Sequence, residues 1–234
     1  MREKPTPIPL MFDKISPTYD AINRILSFGL DRFWRKKMVR FLPKKEGLEL
    51  LDLATGTGDQ LFSLCEHAPS VQSAIGIDLA EKMLEIGQKK LGRKPYRDKV
   101  RLLKGDAGKI PFSAHTFDLV TISFGIRNVP DVETTLREIH RVLRPQGKCL
   151  ILEFSLPENS LVRFCHLSYL RHVLPRVGGL LSKSPASYRY LNQTIECFPY
   201  GDAFLRLMAN AGFQKSAAHP FTLGAVTLYE GEKL

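Results

Sequence analysis

Leu48-Glu49-Leu50-Leu51-Asp52-Leu53-Ala54-Thr55-Gly56-Thr57-Gly58-Asp59 is the stretch that decides the fold. Leu48–Leu53 is a short apolar run, a glycine turn follows it, and Asp59–His67 reads as a helix. A buried strand that breaks on glycines and feeds a helix is the opening of a strand–helix–strand unit, and glycines there let a ligand approach the backbone closely. The rhythm continues downstream. Ser73–Asp78 reads as a second strand, Ala80–Leu91 as a helix with Met83, Leu84 and Leu91 on one face, and Val100–Leu103 as a third strand. Phe117–Ser123 reads as a fourth strand, Asp131–Leu143 as a helix and Lys148–Phe154 as a fifth strand. Strands alternating with helices predict an α/β fold: a Rossmann-like, doubly wound, mostly parallel sheet with helices on both faces. Right-handed crossovers put every strand-to-helix loop on one edge of such a sheet. The glycine turn, Asp78, and the loops after Leu103 and Ser123 are therefore expected to meet at one crevice.

Outside this core the pattern changes. Met1–Pro9 carries three prolines and reads as a flexible arm. Phe12 to Phe41 reads as helical, with Ile15, Tyr19, Ile22 and Leu26 on one stripe, Leu30, Phe33, Trp34, Met38 and Phe41 on another, and Gly29 between two helices. Leu161–Leu181 is apolar with scattered Arg and His, and reads as a helical insertion over the crevice. Gly201–Ala211 reads as a further helix, with Lys215–His219 and Ala225–Gly231 as closing strands. The expected organisation is one domain over 1–234: a helical cap at 1–45, a cofactor-binding core at 46–156, a helical lid at 157–200, and a closing helix and strands at 201–234.

Composition narrows the function. Hydrophobic residues make up 44% of the 234 and charged residues 25%, an ordinary globular balance. No apolar stretch is long enough to span a bilayer, and the N-terminus lacks the apolar region of a secretory signal, so a cytoplasmic location is expected. The cysteines, Cys65, Cys149, Cys165 and Cys197, form no CxxC pair and no zinc spacing with histidine, and no metal is expected. Lys+Arg minus Asp+Glu is 34 − 24 = +10. Nucleic acid, anionic lipid headgroups and a solvated basic surface all answer to such an excess.

The glycine turn asks which nucleoside it would hold. The dinucleotide fingerprint wants a third glycine where this chain has Leu61, which argues against a pyrophosphate on the helix N-terminus. Asp52 and Asp59 frame the turn with negative charge, which suits a sulfonium and an amino group better than a pyrophosphate. Asp78, 20 residues after Gly58, can accept both ribose hydroxyls, and Asp106, after the third strand, can accept from an adenine amine. These placements point to S-adenosylmethionine.

The constellation resembles the class I methyltransferases. Tyr19-Asp20-Ala21-Ile22-Asn23 with Leu26-Ser27 and Trp34 resembles the N-terminal signature of the menaquinone and ubiquinone biosynthesis C-methyltransferases. Thr121–Val129 is similar to that family's segment after the fourth strand, Arg141–Gly147 with Glu153-Phe154-Ser155 to its second signature, and Ser187–Leu191 is a further match. The chain departs from the family at Ile22 (usually Met), Asp31 (usually His) and Arg144–Gly147 (usually Lys-Pro-Gly-Gly). Asp31 is therefore given no proton-transfer role. The resemblance implies cofactor contacts at Thr57, Asp78, Asp106, Ala107 and Ser123, alongside Gly56, Gly58 and Asp59 of the turn.

It also implies methylation of a ring carbon of a polyprenylated demethylmenaquinol. The alternative acceptor is the 2-methoxy-6-polyprenyl-benzoquinol precursor of ubiquinone; an RNA methyltransferase is the remoter alternative, since Ser123-Phe124-Gly125-Ile126 stands where amine methyltransferases carry Asn/Asp-Pro-Pro-aromatic. A neutral ring carbon is a poor nucleophile, and loss of a hydroxyl proton raises its electron density. Arg127 after the fourth strand is placed to stabilise the oxyanion, Asn128 to orient the quinol or a water, and Tyr19 to cap the substrate. An Arg127 paired with a carboxylate and a Tyr19 packed in the lid are the structural alternatives. Arg32, Arg35, Lys36, Lys37, Arg40, Lys44 and Lys45 beside Phe33 and Trp34 suggest peripheral docking on an anionic membrane surface. A homodimer or association with other quinone-pathway proteins is compatible with catalysis, and no nucleic-acid partner is expected.

Overall fold

A computed structural model of the chain describes residues 8–182 and 185–234, with side chains outside 179–189. The seven strands are β1 (Leu48–Leu53), β2 (Val71–Asp78), β3 (Val100–Lys104), β4 (Phe117–Ser123), β5 (Leu143–Phe154), β6 (Gln214–Phe221) and β7 (Val226–Glu232). They form one sheet in the order β3-β2-β1-β4-β5-β7-β6. Neighbours from β3 to β5 are parallel; β7 is antiparallel to β5 and β6. The sequence order reverses direction between β1 and β4, and that switch point is where an open α/β sheet leaves a crevice at its carboxyl edge.

Alternation within the strands splits the core in two. Leu51, Leu53, Val120, Ile122 and Ile151 pack on one face; Leu50, Leu119, Leu150 and Leu152 pack on the other, all without solvent exposure. With both faces covered, the central strands read as continuous apolar runs rather than as alternating ones. Helices α3 (Asp59–His67), α4 (Glu81–Leu91), α5 (Val132–Val142) and α9 (Asp202–Asn210) flank the sheet. Asp131 caps α5 through its carboxylate, which accepts from Thr134 N at 3.1 Å.

The appended helices are α1 (Ile8–Leu26), α2 (Leu30–Lys37), α6 (Ser160–Ser168), α7 (Leu174–Ser182) and α8 (Pro185–Cys197), with a π-helical turn at Tyr169–Val173 between α6 and α7. Ile22, Leu170, Leu174 and Ile195 form a small core of their own, joining α1 to the insertion. Gly29 does separate α1 from α2, at φ 76°. Residues 1–7 of the expected arm lie outside the described residues, and its last two, Ile8 and Pro9, are already helical. A proline in the first turn loses no hydrogen bond, because the first amides of a helix have no intrahelical partner. Pro17 further in is accommodated by its neighbour: Ser16 Oγ donates at 2.9 Å to the Asp13 carbonyl that a residue-17 amide would have engaged.

β5 begins five residues before its expected start, because Leu143 pairs with Phe117 before the chain bulges through Arg144–Gly147 and rejoins at Lys148 opposite Leu119. Among the described residues no helix is long and apolar enough to cross a membrane.

Candidate functional site

The carboxyl ends of β1, β2, β3 and β4 enclose a cavity of about 260 Å3 lined by Gly56, Asp78, Asp106, Ala107 and Ser123, with Leu79, Ala80 and Met83 as its apolar wall. Asp78 is fixed by two amides: its Oδ2 accepts from Gly56 N at 2.8 Å and its Oδ1 from Ala80 N at 2.8 Å. Burial pushes its pKa up, against those two bonds. Each oxygen of an ionised carboxylate has capacity for a second donor, so two vicinal hydroxyls can be received there. Asp106 holds its own loop through Gly108 N at 2.8 Å. Ser123 donates to Gln60 at 3.1 Å.

The two glycines of the turn do different things. A Cβ on Gly56 would meet nothing within 4 Å, so the space beside it in the crevice is open to a ligand. A Cβ on Gly58 would lie 2.5 Å from the Phe62 ring, so Gly58 is needed for the packing of α3. Ala54 and Phe124, at the ends of β1 and β4, adopt left-handed backbone at φ 47° and 57°, a conformation costly for residues with a side chain and concentrated at functional sites.

Thr57, Gly58 and Asp59 do not line this cavity. Thr57 is buried and donates to Asp20 Oδ1 at 2.6 Å; Lys90 Nζ donates to Asp20 Oδ2 at 2.9 Å and to Thr57 Oγ1 at 3.0 Å, and is paired with Asp59. Arg24 adds a bond to Asp59 Oδ2 at 3.3 Å and lies 3.6 Å from Asp31. Although burial works against ionisation of Asp59, Lys90, Arg35 and Arg24 hold its pKa below the ordinary value. Asp52 is buried, with Thr55 and Thr121 hydroxyls donating at 2.6 Å each, and burial pushes its pKa up to about 6. Of Asp52 and Asp59, the two acids expected to frame the ligand with charge, neither lines this cavity. One is withdrawn under the turn and the other is spent on tying α1 to α3 and α4, so the acidic groups facing the crevice are Asp78 and Asp106.

A second cavity of about 290 Å3 lies between α1, α2 and the α6–α8 insertion. It shares Phe12, Tyr19, Phe124 and Asn128 with the first, so the two chambers meet at these residues. Its walls are mostly apolar: Trp34, Phe154, Leu170, Leu174, Leu191 and Val226. Arg127 enters it, but as one half of a buried pair: Nη1 donates at 2.6 Å to Glu153 Oε1 and at 2.6 Å to the Phe124 carbonyl. Glu153 is fully buried in β5, and burial raises its pKa while Arg127 opposes the shift. The Arg127 Nε and Asn128 Oδ1 are buried without a partner among the described residues. Tyr19 has its pKa raised by burial, with Arg127 and Arg35 pulling the other way.

The structure thus brings Gly56, Asp78, Asp106, Ala107 and Ser123 together in one chamber, Arg127 in the other, and Tyr19 and Asn128 at their junction. Glu153, Phe124 and Phe154 were not singled out for a role. Glu153 left a signal: a carboxylate inside the apolar run Cys149–Phe154 must find a cation or a proton. Of the basic run, Trp34 is buried and donates to Thr222 Oγ1 at 2.7 Å, so it is no interfacial anchor. Lys45 is paired with Asp118 at 2.7 Å, and Arg35 lines the second cavity. Arg32, Lys36 and Arg40 remain exposed.

The profile of the ubiE/COQ5 methyltransferase family matches residues 1–233. The chain is 42% identical over 233 residues to the ubiquinone/menaquinone biosynthesis C-methyltransferase UbiE of Geotalea daltonii, covering 100% of this chain and 99% of that one. It is 40% identical over 223 residues to the demethylmenaquinone methyltransferase of Thermus thermophilus, covering 95% and 100%. Among solved structures, an SAM-dependent methyltransferase from Aquifex aeolicus is similar at a TM-score of 0.64 and 18% identity, over 97% of this chain and 98% of that one. That likeness is one of fold.

Proposed function

The chain belongs to the ubiE/COQ5 methyltransferase family and is an S-adenosylmethionine-dependent C-methyltransferase, and from that we infer that its acceptor is the ring of a polyprenylated demethylmenaquinol. The observation that carries the reading is the pair of chambers joined at Tyr19, Phe124 and Asn128. One offers a carboxylate pair and an open glycine to a nucleoside; the other is apolar, with an arginine at its inner end.

The methyl donor supplies an electrophilic carbon on a sulfonium. The protein must hold the acceptor carbon in line with it and favour ionisation of the neighbouring hydroxyl. Ionisation raises electron density on the ring carbon. That carbon forms a bond to the methyl group as the methyl–sulfur bond breaks and its electron pair stays on sulfur. The ring carbon then loses its hydrogen as a proton and aromaticity returns, so one proton is released per methyl transferred. Arg127, fixed by Glu153 and the Phe124 carbonyl, is a rigid donor for a ring oxygen. Asn128 offers its buried Oδ1 to a hydroxyl proton. Tyr19, its hydroxyl kept protonated by burial, donates at the junction.

The prenyl tail would leave through the mouth of the second chamber, where Phe28 is 79% exposed and held there by left-handed backbone at φ 54°. Ile25, Phe33, Leu161 and Phe164 are also exposed, as are the basic Arg32, Lys36 and Arg40 on α2 and the turn that follows it. An apolar rim beside cations suits an anionic membrane surface.

The experiment offers the protein labelled S-adenosylmethionine with reduced demethylmenaquinone, with its oxidised form, and with the methoxy-benzoquinol precursor. Label is expected on the reduced naphthoquinol. Labelling of the oxidised form alone would overturn the ionised-quinol chemistry. The methoxy-benzoquinol is a second reading, favoured by the joint ubiquinone/menaquinone name of the 42%-identical relative; a higher kcat/KM on it would make it the principal acceptor.

A further inference from the structure

Arg35 stands apart from every other arginine in the site. Arg24 meets Asp59 and Asp31, and Arg127 meets Glu153. Arg35 has no ion pair and no hydrogen bond among the described residues, and its Nε is buried without a partner. It nevertheless lines the second chamber, with its guanidinium carbon 5.3 Å from the centroid of the Phe124 ring. Phe124 belongs to both chambers, so Arg35 lies against the wall that separates donor from acceptor. Arg127 is its counterpart on the next ring: its guanidinium carbon is 5.3 Å from the Phe154 centroid, and the Phe124 and Phe154 rings are 4.7 Å apart. A guanidinium stacked on an aromatic face keeps its N–H edge free to donate in its own plane.

Arg35 is half-buried, and its Nε–H has given up water without gaining an acceptor among the described residues, which is unfavourable. Charge at Arg127 is largely matched by Glu153, whereas among the described residues no carboxylate is paired with Arg35. Its field reaches Tyr19 and Asp59 without contact. On the acceptor reading given above, a hydroquinone ring carries two oxygens on opposite sides, and the chamber carries two arginines on adjoining rings.

We propose that Arg35 is the cation that receives the ionised oxygen of the acceptor ring, while Arg127 receives the other oxygen. Arg35 then acts directly on the substrate as the charge that makes the ring carbon nucleophilic, and its buried Nε–H gains an acceptor there.

The test uses the full chain, a short-tailed demethylmenaquinol and S-adenosylmethionine, with wild type, Arg35→Gln and Arg35→Lys compared across pH. Arg35→Gln is expected to lower kcat about a hundredfold, the scale of losing one oxyanion donor. Its rising limb should move to higher pH, because the hydroxyl must then ionise without a cation. Arg35→Lys should recover a large part of the rate and of the pH profile. S-adenosylhomocysteine affinity, read by calorimetry, should stay within about twofold in both variants, since the group lies on the acceptor side. Wild-type kcat in Arg35→Gln would overturn the proposal. So would an equal loss in both variants with an unshifted pH profile, the outcome of a purely structural role. A wild-type protein that binds S-adenosylhomocysteine but does not methylate the quinol would remove the acceptor reading itself.

Discussion

At the scale of single residues, two buried acids differ in their partners: hydroxyls hold Asp52 and a guanidinium holds Glu153. Asp52 has a folded-state pKa of about 6 against an ordinary value near 4. The unfolded chain therefore gives up this proton first as pH rises, and stability falls across the window from about 4 to about 6 by roughly 3 kcal/mol at 1.36 kcal/mol per unit. Asp52→Asn should abolish that slope: urea unfolding of wild type and variant between pH 4 and 7 should diverge in the variant's favour toward pH 7. The same slope in both would refute the assignment. Glu153 differs in having a cation against it. Arg127→Ala alone strands that carboxylate in the core, so it should cost about 3–5 kcal/mol of stability and confuse the kinetics. Arg127→Met with Glu153→Leu removes both charges and should refold to near wild-type stability, yet lose turnover by about a hundredfold. Retained turnover in a stable double variant would leave Arg127 a structural group only. Asp78→Asn keeps one oxygen and should weaken S-adenosylhomocysteine binding by about tenfold or more in calorimetry.

At the scale of elements, the site depends on how α1 is held. Two charged residues tie it to the glycine turn: Asp20, bonded to Thr57 and Lys90, and Arg24, which reaches Asp59. Lys90→Met leaves Asp20 without its cation and Asp59 with Arg24 alone. Amides of 8–26 should then exchange about fivefold faster, a loss of about 1 kcal/mol, while those of β1 and β4 stay protected. Uniform acceleration through the sheet would show that Lys90 supports the whole fold instead. This role also shows what could be read in advance. Tyr19-Asp20 and Gly56-Thr57-Gly58 were each visible as separate motifs, but Asp20 lies 37 residues from Thr57 in the chain, and only packing shows that one fastens the other. The strands of the core were visible because β1 and β4 are buried on both faces and so read as apolar runs. β5 was cut short because Pro145 and Gly147 mimic a turn where the chain merely bulges.

At the scale of the molecule, the second chamber is lined by Phe28, Leu30 and residues of the α6–α8 insertion, Phe28 and Leu30 are exposed, and the whole chain carries a net charge of +10. Phe28→Ser with Phe164→Ser should reduce sedimentation with vesicles containing anionic lipid, and raise KM for a long-tailed quinol while leaving a one-prenyl quinol unaffected. Binding in wild type should also weaken as salt rises, because exposed charges are screened within about 8–10 Å at physiological ionic strength. Salt-independent binding, or an equal KM change for both tails, would remove this face from membrane contact. The parallel core, the crevice at the ends of its strands and the glycine turn that opens on it were legible in the chain, because they rest on local periodicity, glycine placement and a carboxylate one strand on from the turn. Which charges line the two chambers depends on packing. Asp52 and Asp59 were turned to structural work, Glu153 was set against Arg127, and Arg35 was drawn out of a basic run into the acceptor chamber. A side chain's charge is written in its letter, but whether that charge is spent on a neighbour or left for a substrate depends on contacts between residues far apart in the chain.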